Sequence, residues 1–213
     1  MSDNRSASRS HRVVAEDDEL WAEVSPHAAR RLLLAALNSF SERGYHGTST
    51  RHISSGAGMS PGAVYIHYRT KSELLGRIIA IYHEHLEQAL AGAVTNITTP
   101  AARLRALVAL LAAWHARHRK TALVIQRELG ALEPDQYKLI REARLRMYEQ
   151  FIAEIQSGAK AGEFDVADID GTCEAIVAVC LGVANWYRPD NPRSPEEVGA
   201  LSAHLAARMV GAR

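Results

Sequence analysis

An all-α protein of about nine helices in two parts is the fold class the sequence predicts, on three observations. Ala and Leu dominate the second half and aromatic residues make up only 6% of the chain, a composition that favours helix over sheet. Apolar residues recur at i, i+3, i+4 and i+7 over long stretches, while strand-like alternation and internal repeats do not stand out. Ser, Thr, Gly and Pro fall where helices begin and end. The length of 213 residues suffices for two small domains, and 47% hydrophobic with 23% charged residues suits a chain that buries a core.

Residues 1–24 read as a disordered tail, Ser-rich with Arg5, Arg9 and Arg12, then acidic from Glu16 to Glu19. A basic arm that reaches DNA is the sharper alternative. A first long helix starts after Ser25-Pro26 and ends at Gly44. Its stripe of Leu33, Ala36, Leu37 and Phe40 is expected to pack on Ile53, Val64 and Leu74 as a three-helix core.

The stretch 48–74, TSTRHISSGAGMSPGAVYIHYRTKSEL, carries the chemistry. Thr48-Ser49 supplies N-cap residues for a helix through Arg51, His52 and Ile53, and Gly58 suits the left-handed turn that stops it. Ser60 caps a second short helix expected over 61–68, with Pro61 at its first position, where a missing N–H costs nothing. Thr70 and Glu73 have the spacing of a capping box and open a longer helix. Helix, glycine turn and short helix form the helix-turn-helix plan, whose second helix enters the major groove. The DNA-binding set on this reading is Thr48, Ser49, Thr50, Arg51, Ser60, Pro61, Gly62, Ala63, Tyr65, His67, Tyr68 and Lys71. Small Ser60, Gly62 and Ala63 permit close approach, and Tyr65, His67, Tyr68 and Lys71 bring polar tips to phosphates.

The helix from Lys71 is expected to run to about Gly92 and to link two domains, a DNA-binding part over 25–72 and an effector and dimerisation part over 73–213. Further helices follow from Pro100 to the basic patch 117–120, over 121–132, over 135–161 and over 169–187, with a last one opening at Ser194-Pro195. The segment 175–184 is apolar nearly all round, which demands burial. In a small domain this predicts a subunit interface as well as core, with Ile176, Val179, Val183 and Trp186 in the interface of a homodimer. Cys173 and Cys180, seven apart, read as buried small hydrophobes.

Net charge is +1, but residues 25–72 hold six basic side chains against the single acid Glu42, while the remainder from residue 73 is near neutral. A basic module on a neutral body fits phosphate binding by one domain. The sequence lacks G-x-S-x-G, a Walker loop, a dinucleotide glycine motif and H-E-x-x-H, so it points to no enzyme and to no cofactor or metal. His115 and His118 are three apart without a readable third ligand. No stretch reads as a membrane span and the polar N-terminus is not a signal peptide, which predicts a cytoplasmic protein.

The ordered spacing of F-x-E-x-G, T-S-T-R-H-I, G-M-S-x-G-x-V-Y-x-H-Y and K-x-E-L-L over residues 30–75 resembles the DNA-binding domain of TetR-family transcriptional regulators. Gly56, within the first short helix, and Pro61 depart from the usual pattern. R-E-L-G-A-L, R-L-R-M-Y, A-G-E-F-D and N-W-Y-R-P over 127–195 are similar to a subgroup that controls fatty-acid and cholesterol catabolism and releases DNA on binding acyl-CoA. The resemblance implies an apolar ligand pocket, with Leu86, Trp114, His118, Ile125, Leu129, Tyr148 and Phe151 as lining or, equally, as ordinary core. The patch 117–120 reads either as a helix C-terminus or as a partner for an anionic ligand. The expected function is therefore a ligand-responsive repressor, a homodimer on a palindromic double-stranded DNA operator with a small acyl-CoA-like effector. The competing class is a small-molecule-binding helical protein or enzyme without sequence-specific DNA binding.

Overall fold

A computed structural model describes residues 20–212, and among these the chain is helical with no strand. The helices are α1 (His27–Arg43), α2 (Thr50–Gly56), α3 (Ala63–His67), α4 (Lys71–Ala93), α5 (Pro100–Arg117), α6 (Arg119–Glu128), α7 (Pro134–Lys160), α8 (Ile169–Trp186) and α9 (Pro195–Met209). A short 3-10 turn, Leu129–Ala131, follows α6. The tail expected at 1–24 lies outside the described residues as far as position 19. Its last part is folded: Trp21 is 1% exposed, Leu20 is buried, and the Val24 N–H donates to the Trp21 carbonyl at 3.1 Å.

The chain divides into two compact units, residues 1–84 with 120–140, and residues 85–119 with 141–213. The first unit thus takes in the start of α4 and most of α6 in addition to the module expected at 25–72. Its core is the predicted one: Leu33, Ala36, Leu37 and Phe40 of α1 are buried together with Ile53, Val64 and Leu74. α1 packs on α2, and α2 on α3. Gly76 of α4 is buried against the side chain of Gln136, which a Cβ at that position would strike. Gln136 Oε1 accepts from Ser72 Oγ at 3.1 Å and from the Glu133 N–H at 3.3 Å, so α7 begins on a fixed contact. Pro134 is the first residue of α7 rather than a breaker before it, because its missing N–H would be unpaired there in any case.

In the second unit α5 packs against α8 and α9, which also meet each other. Thr99 caps α5, its Oγ1 accepting from the Ala102 N–H at 3.3 Å, and the Glu163 carboxylate accepts from the Ala101 N–H at 2.9 Å. Both satisfy N–H groups that the first turn leaves orphaned, and Glu163 adds a favourable charge at the positive end of the helix. Arg103 holds the preceding loop. Its Nε donates to Glu154 Oε1 at 2.7 Å and its Nη1 to the Ile97 carbonyl at 3.3 Å. Glu154 is buried, so loss of Arg103 would leave a carboxylate uncompensated. α9 opens on a full capping box between Ser194 and Glu197 with Pro195 at its first position.

Two expectations for α8 are corrected. By length and composition it is apolar enough to cross a membrane, with mean hydropathy 1.3. It is also not buried all round. Cys173, Ile176, Val177, Cys180, Val183 and Ala184 form its core face, whereas Val179 is 43% and Trp186 49% exposed. Ile176 and Val183, expected at a subunit interface, are therefore spent on the core of their own unit. Both cysteines are free and buried. Burial pushes the Cys173 thiol up to about 11 and the Cys180 thiol up to about 12, which leaves both protonated and unreactive at neutral pH.

Gly199 of α9 is buried where a Cβ would meet the Ala109 carbonyl of α5. Gly199→Ala is expected to destabilise the protein by about 1–3 kcal/mol through overpacking against backbone that cannot rotate away. Gly92→Ala, in an exposed turn of α4 with nothing within 4 Å of the added carbon, should be neutral or stabilising by up to about 1 kcal/mol. Urea unfolding of the two variants checks the contrast; equal behaviour would refute the α5–α9 contact.

Candidate nucleic-acid interface

α2 begins where the sequence places it. Ser49 Oγ accepts from the His52 N–H at 3.2 Å, and His52 Nδ1 accepts from the Ser49 N–H at 3.3 Å. Histidine thus fills the place that Glu or Gln holds in the usual capping box. The helix ends as expected at Gly58, with φ +63, and the Met59 N–H donates back to the Ser54 carbonyl at 2.9 Å. Arg31 of α1 donates from Nη2 to the Ala57 carbonyl, tying the turn to the first helix. Arg31 was not among the residues singled out from the sequence, because 26 positions separate donor and acceptor.

α3 starts two residues later than expected. Ser60 makes no cap; instead the Ala63 N–H donates to the Ser60 carbonyl at 3.0 Å across a tight turn through Pro61 and Gly62, and Gly62 is the N-cap. Ser60, Pro61 and Gly62 are all exposed. So is Tyr65, at 60%, whose hydroxyl shares a 3.2 Å hydrogen bond with Thr50 Oγ1 at the start of α2. Ser49, Arg51 and Arg69 are exposed alongside, and His67 is half-buried.

Four members of the expected DNA-binding set turn inward. Thr48 is buried, and its hydroxyl donates to the Ser39 and Gly44 carbonyls at 3.0 and 2.8 Å. Ala63 is buried beside Val64 and so faces the core rather than a base. Tyr68 is buried, its Oη reaching the Ala29 carbonyl at 3.4 Å, and burial pushes its hydroxyl up to about 12. Lys71 Nζ donates to the Tyr45 carbonyl at 2.6 Å and the Thr48 carbonyl at 2.7 Å, and lies 4.1 Å from the centre of the Tyr45 ring. Partial burial draws its ammonium below the usual lysine range. Lys71 is thus a strap between α4 and the loop before α2. Polar side chains were assigned outward from sequence; here the loop carbonyls needed donors, and these residues supply them.

The sequence reading passed over Ile66, which is 77% exposed on α3. A helical projection could have found it. With Ala63 and Val64 committed to the core, Gly62, Tyr65 and Ile66 fall on the opposite side at 100° per residue.

The seven residues expected to line a ligand pocket divide between the units. Leu86, Trp114, His118 and Phe151 are buried in the second, with Tyr148 half-buried; Ile125, buried, and Leu129, half-buried, belong to the first. The Trp114 and His118 rings are 4.3 Å apart. The basic patch is dispersed into separate contacts. Arg117 pairs with Glu196, the His118 ring lies tilted against Trp114, and Lys120 Nζ donates to Asn38 Oδ1 at 3.0 Å.

A capped helix, a glycine turn and a short exposed helix on a basic module define a helix-turn-helix DNA-binding protein. Residues 32–78 match the family described as bacterial regulatory proteins, tetR family, and residues 98–210 match the tetracyclin repressor-like C-terminal domain. The chain belongs to the TetR family of transcriptional regulators and is not an enzyme. The chain is 35% identical to a tetR-family regulatory protein from Rhodococcus RHA1 whose crystal structure superposes with TM-score 0.83, over 89% of this chain and 100% of that one. The transcriptional repressor KstR2 of Mycobacterium tuberculosis H37Rv is 25% identical over 85% of this chain and 92% of its own. The structure of AibR in complex with isovaleryl coenzyme A and operator DNA shares the fold, with TM-score 0.77 at 20% identity over 88% of this chain and 100% of that one.

The inward set and the outward set make opposite predictions. Lys71→Met should lower the stability of the protein by about 1–3 kcal/mol, through the loss of two charge-assisted hydrogen bonds to carbonyls that are left without that donor. Tyr65→Phe should leave stability within about 0.5 kcal/mol, since the ring is exposed. Thermal unfolding followed by circular dichroism separates the two. An unchanged midpoint for Lys71→Met would return Lys71 to the DNA-contact set.

Proposed function

We propose that the protein is a ligand-responsive transcriptional repressor that binds a palindromic operator as a homodimer and leaves it on binding an apolar effector. The observation that carries this reading is the exposed ridge formed by the turn Ser60, Pro61 and Gly62 and by Tyr65 of α3, flanked by exposed Arg51 and Arg69. Phosphate contacts from the arginines set position, and the ridge faces the bases. Residues 25–72 form the DNA-binding part, and 73–213 carry the effector and dimer surfaces. Such a repressor works where the chromosome lies, in the cytoplasm.

Dimerisation is argued from α8 and α9 together. Ala175, Ala178, Val179 and Trp186 on α8 and Leu201, Leu205 and Met209 on α9 are exposed. An exposed apolar face on each of two packed helices suits a two-fold contact with a second copy. Two heads joined in this way meet half-sites about 34–36 Å apart or a multiple of that distance. An effector that favours a different head spacing weakens DNA binding by its differential affinity for the two states, and DNA weakens the effector equally. An acyl-CoA thioester is the effector class we favour. KstR2 is described as a ketosteroid regulator, and AibR binds isovaleryl coenzyme A. The patch 117–120 is not offered as its anion site, because Arg117 and Lys120 already hold protein partners.

Binding sequences selected from random duplexes provide the operator for the test. Arg51→Ala and Arg69→Ala should each weaken binding to all sequences and reduce the slope of log affinity against log salt by about one. If both bind as the parent does across a range of salt, α2 and α3 do not dock as proposed. Titrating short-chain, long-chain and steroid-derived CoA thioesters into the complex should release DNA with at least one of them. Release only by an unrelated apolar compound would discard the thioester class and keep the repressor.

For the dimer, Val179→Glu and Leu205→Glu should each yield monomers in sedimentation at micromolar concentration, since a charge would be buried in an interface of more than about 2,000 Å2. A monomeric parent would overturn the arrangement.

A further inference from the structure

We propose that Ile66 reads the methyl group of a thymine in the major groove and so helps to determine which operator is bound. The inference rests on the docking of α3 proposed above. Ile66 is 77% exposed, more than any other large apolar side chain among the described residues. It shares the outer side of α3 and its N-cap with Gly62 and Tyr65, away from the buried Ala63 and Val64.

The hydrogen-bonding inventory of that surface decides what it can read. Gly62 has no side chain, and nothing lies within 4 Å of where its Cβ would stand. Pro61 lacks even a backbone donor. The Tyr65 hydroxyl is shared with Thr50 Oγ1 at 3.2 Å. Ser60, Pro61, Gly62 and Tyr65 therefore include none of the side chains that make the bidentate pairs by which Arg or Lys reads guanine, or Asn or Gln reads adenine. The one apolar mark that a base pair shows in the major groove is the C5-methyl of thymine. Ile66 is the side chain on this surface that suits it. Its β-branch restricts χ1, so little rotamer freedom is lost when the contact forms. Open space at Gly62 lets the backbone of α3 come close enough for a side chain of this length to reach the base.

The test uses the full chain and one site selected from random duplexes. Each thymine is replaced in turn by deoxyuridine, which removes the methyl and keeps every hydrogen bond. At one thymine in each half-site the parent should lose about fourfold in affinity per half-site, the value of roughly one buried methylene. Ile66→Ala should bind the thymine site more weakly than the parent does and should no longer distinguish thymine from uracil there. Ile66→Val should keep part of the discrimination. Thermal midpoints of both variants should match the parent, since the side chain lies outside the core.

A parent that is indifferent to every uracil replacement overturns the inference while the operator remains. So does equal sensitivity of parent and Ile66→Ala at each thymine. A selection that enriches no sequence overturns the operator reading itself, and this inference with it.

Discussion

The loop between α1 and α2 leaves carbonyls that no helix can satisfy, and the DNA-facing surface depends on how they are paired. Thr48 donates back to Ser39 and Gly44, and Lys71 reaches from the first turn of α4 to the carbonyls of Tyr45 and Thr48. These bonds fix the residue just before Ser49, and Ser49 sets the start of α2 through its reciprocal cap with His52. α2 in turn positions α3 through the turn at Gly58 and through the Thr50–Tyr65 contact. A module with so short a second helix has little propensity to hold its shape alone, so tertiary hydrogen bonds of this kind take the place of helix length.

The same strap joins the loop before α2 to α4, a single helix whose residues belong to both compact units. Any displacement of the first turn of α4 would bear on the Tyr45 and Thr48 carbonyls through Lys71. Coupling of this kind needs a discrete second arrangement in which the lysine lets go or the loop follows it. The Gln136 contact beneath Gly76 is a second fixed point on the same helix, and it limits how α4 can move inside the first unit.

In the second unit, close packing replaces such polar ties. Gly199 lets α9 lie on the backbone of α5, and α8 gives one side to that core and leaves Val179 and Trp186 outside it. The apolarity of α8 therefore serves two surfaces. That division is why its composition resembles a membrane span while its buried positions keep a helical period.

Periodicity, caps and breakers are local signals, and they determined the helical class, the order of the elements, the three-helix core and the helix-turn-helix plan from the sequence alone. Ser49, Gly58 and Ser194 were legible because each acts on backbone within a few residues of itself. The direction of the polar side chains was not legible. Thr48, Tyr68 and Lys71 have the composition of a phosphate-binding surface, yet they serve carbonyls 4 to 39 positions away, and only the assembled chain shows those acceptors. Ile66 is the reverse case, an apolar residue left in solvent because the core takes its neighbours first. Ile176 and Val183 follow the same logic on α8. Sequence marks a residue as apolar, but only the packing of α5 decides whether it fills its own core or is left for a partner.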